Sequence, residues 1–482
     1  MIEANNYIGG RWCGAESGER IDAHNPADPC ERLGSVPRSA AADAEQAVLA
    51  ADAAAAGWRD TAPGTRGELL RQAALQLDAR SGELADLLTR EMGKTLPEAL
   101  GEVKRGVAIL HYYAGLTMHA DGAHLPAADG ASLLYTQKIP LGVVALITPW
   151  NFPVAIPVWK LAPALASGNT VVLKPATQAS LTAARLMEIL CEAGFPDGVL
   201  NLVHGSGAAV ASALIEHPLV QGVSFTGSNG AGKRIAQQAA ARGIKYQLEM
   251  GGKNAVIVLA DADLERAADA VVSGAMKSAG QKCTATSKVI VMPEIRERFT
   301  SLLLERLQRI TMGPGTEEGV YYGPLASREQ QRHVLEAIAA AGEAGAELLH
   351  GGGVPEDARL HGGYFVEPTL FTGVDPASLL AREEIFGPVL ALLEAPTLAE
   401  AIRLANDTEY GLSAAIFTTD LGSAMTFIRH IEAGMVKVNS ETAGVEYQAP
   451  FGGLKQSSSH SREQGLAALD FYTHTQTISL SM

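Results

Sequence analysis

Between Gly142 and Glu249, apolar runs of strand length alternate with segments of helical periodicity, and no other feature constrains the fold as strongly. The runs lie at 143–148, 170–174, 199–203, 221–225 and 244–248, with helical stretches at about 154–167, 178–193, 207–216 and 228–242 between them. Strand then helix, repeated every 20–28 residues, is the pattern of βαβ units, whose crossovers impose a parallel sheet covered on both faces. After Gly251-Gly252 the alternation restarts with runs at 255–259 and 287–292 and helices at 263–279 and 295–310. Later runs at 389–393 and 414–417 flank a helix near 398–406, so a second α/β unit is expected to end near residue 440. Upstream, helices are expected at 42–58, 66–92 and 96–118, and the residues before them read as loops. The last strand-like piece, 475–480, has no neighbour to pair with in the second unit. Its expected partner is 132–138 or another subunit.

Composition narrows the function. Lys and Arg number 38 against 53 Asp and Glu in 482 residues, a net charge of −15. A nucleic-acid partner needs a basic surface, so it is disfavoured, whereas a small anionic substrate needs only a few local cations. No apolar run approaches the ~20 residues of a membrane span, and no export signal opens the chain. A soluble cytoplasmic protein is the expectation. Four cysteines (Cys13, Cys30, Cys191, Cys283) without CxxC spacing form neither a disulfide framework nor a zinc site.

Several local motifs bear chemistry. Phe225-Thr226-Gly227-Ser228-Asn229-Gly230-Ala231-Gly232-Lys233-Arg234 joins a strand to a helix, where bare backbone N–H groups and the helix dipole suit a phosphate. It falls short of a P-loop, because Arg234 stands where a magnesium-binding hydroxyl is required. Lys174 closes the strand 170–174, and Asn151 in Pro149-Trp150-Asn151-Phe152-Pro153 follows the strand 143–148. Both stand at the carboxyl edge of the sheet, where ligands of doubly wound folds bind. The Asn151 amide is a donor suited to a developing oxyanion. Glu249, at a strand end before Gly251-Gly252, suits a general base. Cys283 lies at a turn in Gly280-Gln281-Lys282-Cys283, beside a cation that favours the thiolate, and is the candidate nucleophile.

Together with Glu383-Glu384-Ile385-Phe386-Gly387-Pro388 and Pro450-Phe451-Gly452-Gly453, these motifs resemble the aldehyde dehydrogenase superfamily over essentially the whole chain. Seven motifs occur in family order, with 34 residues from Glu249 to Cys283. The resemblance implies a Rossmann-like cofactor-binding domain (1–121 and 141–250), a second α/β catalytic domain (251–445) and a small β oligomerisation domain (122–140 and 465–482). It implies that Cys283 attacks the aldehyde, that Asn151 and the Cys283 N–H hold the oxyanion, and that Glu249 activates the water that hydrolyses the thioester. Lys160 matches a lysine linked to proton transfer from the base. Ile147, Thr148, Trp150, Lys174, Ala176, Thr177, Gly227, Ser228, Glu384 and Phe386 would hold NAD or NADP. No metal is implied, and a homodimer or homotetramer is expected.

Three departures from the family pattern bear on function. Met250 stands where leucine is commoner, a volume-conserving exchange. Thr177 replaces a glutamate that repels a 2′-phosphate in many NAD-preferring members, so NADP is expected to be accepted along with NAD. Lys282 precedes the cysteine where an uncharged residue is usual. On the substrate side the resemblance implies Arg105, Phe152, Trp159, Lys277 and Lys282, a set that favours an anionic semialdehyde. The pairing of Gly280-Gln281-Lys282-Cys283-Thr284-Ala285-Thr286-Ser287 with the ending Lys455-Gln456-Ser457-Ser458-Ser459-His460-Ser461-Arg462-Glu463-Gln464-Gly465 looks most like 2-oxoglutarate semialdehyde (2,5-dioxovalerate) dehydrogenases. Succinate semialdehyde and phosphonoacetaldehyde are the alternative substrates. Intact Glu249 argues against a CoA-acylating enzyme, and the complete motif set argues against a non-catalytic relative.

Overall fold

A computed structural model describes residues 1–119 and 121–481; Ala120 and Met482, which fall within two of the segments predicted above, lie outside the described residues. The first alternating region forms a seven-stranded sheet. Its strands run in the order Lys245–Glu249, Val220–Thr226, Val143–Ile147, Thr170–Lys174, Leu200–Leu202, Asn6–Ile8 and Arg11–Cys13. The first five are parallel, and the two N-terminal strands add antiparallel at the far edge. Val143–Ile147 and Thr170–Lys174 are buried along their whole length. Covering helices on both faces explain why their sequence is continuously apolar instead of alternating. The chain starts at the central Val143–Ile147, proceeds outward on one side, then crosses to Val220–Thr226 on the other. The order reverses between those two strands, and there the helical connections diverge and leave a crevice.

A second seven-stranded sheet runs in the order Glu347–His350, Thr369–Thr372, Val389–Glu394, Thr286–Val291, Asn254–Val258, Ser413–Phe417 and Met435–Val438. Glu249 ends the last strand of the first sheet, and Asn254 begins the central strand of the second. Four residues therefore carry the chain from the carboxyl edge of one sheet to the amino edge of the other. Thr473–Leu480 pairs antiparallel with Leu133–Pro140 of the same chain, with His124–Leu125 on the far side.

Three expectations are corrected. The helix expected over 66–92 is two, Pro63–Ala79 and Ser81–Met92, meeting at Arg80, whose backbone (φ −111°, ψ 16°) leaves the helical basin. The N-terminal region is not loop-like: Cys13 ends one strand and Cys30 lies inside Asp28–Pro37. The helix expected to run to 279 stops at Met276. There Ser278, Ala279 and Gly280 turn left-handed in succession (φ 55°, 53° and 70°). For two residues with side chains this conformation costs on the order of 1 kcal/mol each, and it turns the chain sharply just before Cys283.

Candidate active site

The crevice at the strand-order reversal is a cleft of about 400 Å³. Trp150 and Asn151 follow Val143–Ile147 into it, and Gly227 and Ser228 follow Val220–Thr226. From the second sheet come Cys283, ahead of Thr286–Val291, and Glu384 and Phe386, ahead of Val389–Glu394. The carboxyl edge of one sheet thus faces the amino edge of the other across the cleft.

The end suited to a phosphate is the start of the helix Asn229–Arg242, preceded by Ser228 in an extended conformation (φ −73°, ψ 150°). The opposite wall is built around Glu384, whose carboxylate accepts the Gly252 N–H at 3.0 Å. A Cβ on Gly251 would stand 2.0 Å from that carboxylate, so only glycine permits the approach. Burial pushes the Glu384 carboxyl up to about 7, a cost met when a hydroxyl donates to it. Phe386 holds a left-handed backbone (φ 57°) and meets Trp150 edge-to-face, with centroids 5.4 Å apart. Further along the same edge Lys174 is buried, donates to the Pro175 carbonyl at 2.8 Å, and is pushed down to about 8 by desolvation. Ile147 and Thr148 are buried at the end of the neighbouring strand, and the Thr148 hydroxyl has no partner. Ala176 and Thr177 open the short turn after Lys174, where the Thr177 hydroxyl donates to the Gln178 amide at 3.2 Å. A glycine-floored helix start, a carboxylate awaiting a donor and an aromatic pair between them fit a dinucleotide. Among the described residues no group of three or more His, Cys, Asp or Glu is placed to hold a metal ion.

Cys283 is fixed by its backbone, since its carbonyl accepts from Asn254 Nδ2 at 2.8 Å. Contrary to the thiolate-favouring effect expected of the adjacent Lys282, burial raises its thiol well above the ordinary range, and the carboxylates of Glu384 and Glu249 raise it further. Asn151 Nδ2 donates to the Gln281 carbonyl at 3.0 Å, which orients the amide and leaves its second N–H free for an oxyanion. The Asn151 carbonyl accepts from Lys94 Nζ at 2.8 Å. Lys94 in turn forms a fully buried ion pair with Glu102, whose other oxygen accepts the N–H groups of Val154 and Ala155 at 2.8 and 3.0 Å. Sequence reasoning missed both residues. The signal was present, because Glu102 is an acid on the apolar face formed by Ala99, Val103, Gly106 and Leu110.

Glu249 is buried. One carboxylate oxygen accepts from the Ser458 hydroxyl, and the other has no partner. Desolvation and the neighbouring Glu463 push its carboxyl well above the ordinary range, against the opposing effects of Ser458, Lys160 and Arg462. Lys160 pairs with Glu463 in the interior and donates to the Ser224 hydroxyl at 2.9 Å. The lysine singled out from sequence therefore sits beside a second carboxylate, Glu463, that was not singled out.

Of the residues expected to meet the substrate, Phe152 lies under Lys94 Nζ (4.0 Å to the ring centre), and Trp159 is buried against Phe451 at 5.4 Å. Half-buried Arg105 donates to the Val445 carbonyl. Lys282 is half-buried and held down by desolvation, with Glu98 and Glu441 opposing and Lys277 and Lys94 reinforcing the effect. Lys277 is not brought into the cleft: it is exposed and opens on a separate hollow beside Asp269, Arg306 and Tyr321. The left-handed turn at Ser278–Gly280 lies between it and Cys283, and the position that the resemblance implied for Lys277 is not the one found.

Comparison with known proteins agrees with this geometry. The sequence model of the aldehyde dehydrogenase family matches residues 12–478. An alpha-ketoglutaric semialdehyde dehydrogenase of Bacillus subtilis is 52% identical, over 98% of this chain and 97% of its own. A 2,5-dioxopentanoate dehydrogenase of Saccharolobus solfataricus is 43% identical, over 97% of each chain. Among solved structures, betaine aldehyde dehydrogenase of Staphylococcus aureus in complex with NAD+ is similar, with a TM-score of 0.97 and 35% identity over 99% of this chain and 94% of that one. With a match spanning nearly every residue and the same fold, this chain belongs to the aldehyde dehydrogenase family.

Proposed function

We propose that the protein oxidises 2-oxoglutarate semialdehyde to 2-oxoglutarate with NAD or NADP, through a covalent intermediate on Cys283. The observation that carries the reaction class is the convergence of Cys283 and Asn151 with Gly227, Ser228, Glu384 and Phe386 on one cleft. The substrate reading rests on the names of the relatives at 43% and 52% identity and on the cations described above. The thiol of Cys283 loses its proton to solvent, and the sulfur adds to the aldehyde carbon as the carbonyl π bond breaks. The oxygen becomes an oxyanion, held by the free N–H of Asn151 and the Cys283 backbone N–H. Bound nicotinamide supplies the hydride acceptor. Glu249 takes a proton from the water that attacks the resulting thioester, and the carboxylate product leaves with the thiol restored.

Arg105 supports the anionic substrate. It lies one turn beyond Glu102 on the helix Leu96–Leu116, whose Glu98 and Glu102 reach Ser278 and, through Lys94, Asn151. Lys282 is the weaker candidate, because Glu98 and Glu441 face its charge. The segments 122–140 and 465–482 would join subunits of a homodimer or homotetramer, leaving 1–121 with 141–250 for the cofactor and 251–445 for the nucleophile. The test is a panel of aldehydes with each cofactor, followed by absorbance. The expected order is 2-oxoglutarate semialdehyde, then succinate semialdehyde, then propanal, with no rate increase on adding CoA. A preference for long neutral aldehydes overturns the substrate, and CoA-dependent turnover overturns the hydrolytic reaction.

Cofactor choice has its own test. Thr177→Glu should restore repulsion of a 2′-phosphate and shift the NADP/NAD efficiency ratio about tenfold or more toward NAD, the equivalent of one to two kcal/mol. An unchanged ratio would show that Thr177 does not face the 2′ position.

A further inference from the structure

Three consecutive serines run antiparallel to the strand end that carries Glu249. Met250 donates to the Ser457 carbonyl at 2.7 Å and Ser459 to the Leu248 carbonyl at 2.9 Å, with Glu249 and Ser458 directly opposite. Each hydroxyl has a separate task. Ser457 donates to the Gly251 carbonyl at 2.7 Å and accepts the Gly411 N–H at 3.0 Å. Ser459 accepts the Leu248 N–H at 2.9 Å. Ser458 accepts the Gly453 N–H at 2.6 Å and donates to Glu249 Oε2. A serine hydroxyl has one proton. With the Gly453 N–H directed at its oxygen, that proton points to the carboxylate. The other oxygen of Glu249 faces Gly452, where a Cβ would stand 3.0 Å away, and it has no hydrogen-bond partner.

We propose that Ser458 is a positioning residue for the general base, its hydroxyl clamped by the Gly453 N–H so that it holds the Glu249 carboxylate in one orientation and in its ionised form. The proposal rests on reading Glu249 as the base. The charged and titratable groups that act on Glu249 are Lys160 from the helix Ala155–Ala166 and Arg462 and Glu463 from the segment after Ser458, and Glu249 in turn acts on the Cys283 thiol. Glu463 and burial favour the protonated carboxyl; Lys160, Arg462 and the Ser458 hydroxyl favour the carboxylate. Loss of the hydroxyl alone therefore raises the pH at which Glu249 ionises.

The experiment is the pH profile of steady-state kcat for wild type, Ser458→Ala, Ser458→Cys, Ser458→Thr and Glu249→Gln, with the pre-steady-state burst of reduced cofactor measured alongside. Ser458→Ala should move the acid limb upward by roughly one pH unit, lowering kcat below the limb about tenfold, while the burst persists. Ser458→Cys, similar in size and a weaker donor, should shift the limb in the same direction by less. Ser458→Thr, which keeps the hydroxyl, should restore it. If Glu249→Gln abolishes the slow step but Ser458→Ala and Ser458→Cys both keep the wild-type limb, the positioning role is overturned and the base stands. A limb that moves in Ser458→Thr as far as in Ser458→Ala overturns it too. If Glu249→Gln itself turns over normally, the reading of the base has failed instead.

Discussion

Cys283→Ala should have no measurable turnover, and Glu249→Gln should release one reduced cofactor per active site and then stall. The two variants separate the halves of one reaction. Without the sulfur there is no covalent intermediate, so neither hydride transfer nor hydrolysis proceeds. Without the carboxylate the sulfur still adds, and oxidation still yields the thioester, but the water lacks a base. Positioned general bases contribute roughly a hundredfold or more, so hydrolysis should become limiting by at least that factor. The environment of Glu249 suits the assignment. A buried carboxyl held above its ordinary range by desolvation and by Glu463 is a stronger base, once ionised, than one in water. The measurement is a rapid-mixing burst followed by mass spectrometry of the quenched protein, which should find the acyl group on Cys283 in Glu249→Gln. Wild-type steady-state turnover in Glu249→Gln, or an acyl group on another cysteine, would refute the assignment. The other cysteines are poor rivals on position: Cys191 sits at the end of the helix Ser180–Cys191, Cys13 and Cys30 belong to the N-terminal strands, and only Cys283 among the four lines the cleft.

How far such roles were legible in the sequence differed from element to element, for physical reasons. The parallel strands were legible because both faces are covered, so Val143–Ile147 and Thr170–Lys174 read as unbroken apolar runs. Asn151, Glu249 and Cys283 were legible because each adjoins a strand end or a glycine turn that sets it on an edge. The N-terminal strands were not. Asn6–Ile8 and Arg11–Cys13 have three residues each, too few to show a period, and Asn6–Ile8 finds its partner in Leu200–Leu202, nearly 200 residues away. The break at Arg80 was hidden because both helices keep the same apolar period across it. Lys277 was expected in the channel from the family resemblance, and the three left-handed residues between it and Cys283, which turn the chain away, leave no mark in the sequence. Ser458 and the Lys94–Glu102 pair act through contacts across more than 50 residues, to Glu249 and to the 151–155 turn, and no local pattern encodes such distances.

Arg105→Ala should lower kcat/KM toward 2-oxoglutarate semialdehyde roughly ten- to a hundredfold and leave propanal nearly unaffected. A charge-assisted hydrogen bond to a carboxylate contributes about 1.5–3 kcal/mol, which sets that range. Arg105 is restrained through the Val445 carbonyl, and a guanidinium has four further N–H donors to offer a planar carboxylate. The alternative is that Arg105 only anchors the loop that follows Met435–Val438. That role predicts equal losses on anionic and neutral aldehydes, because a displaced loop disturbs both. Arg105→Lys discriminates further. It keeps the charge but loses the planar fork, so a true carboxylate contact should recover in part while staying several-fold below wild type. Neighbouring charge strengthens the case for Arg105 over the other cations. Lys94 is neutralised by Glu102 in a buried pair, Lys282 faces Glu98 and Glu441, and Lys277 opens away from the cleft. A five-carbon substrate with its aldehyde at Cys283 carries its carboxylate at the far end, so the cation that selects it has to stand apart from the nucleophile. If the variant loses both activities alike, Arg105 holds the loop and the selectivity for an anion lies elsewhere.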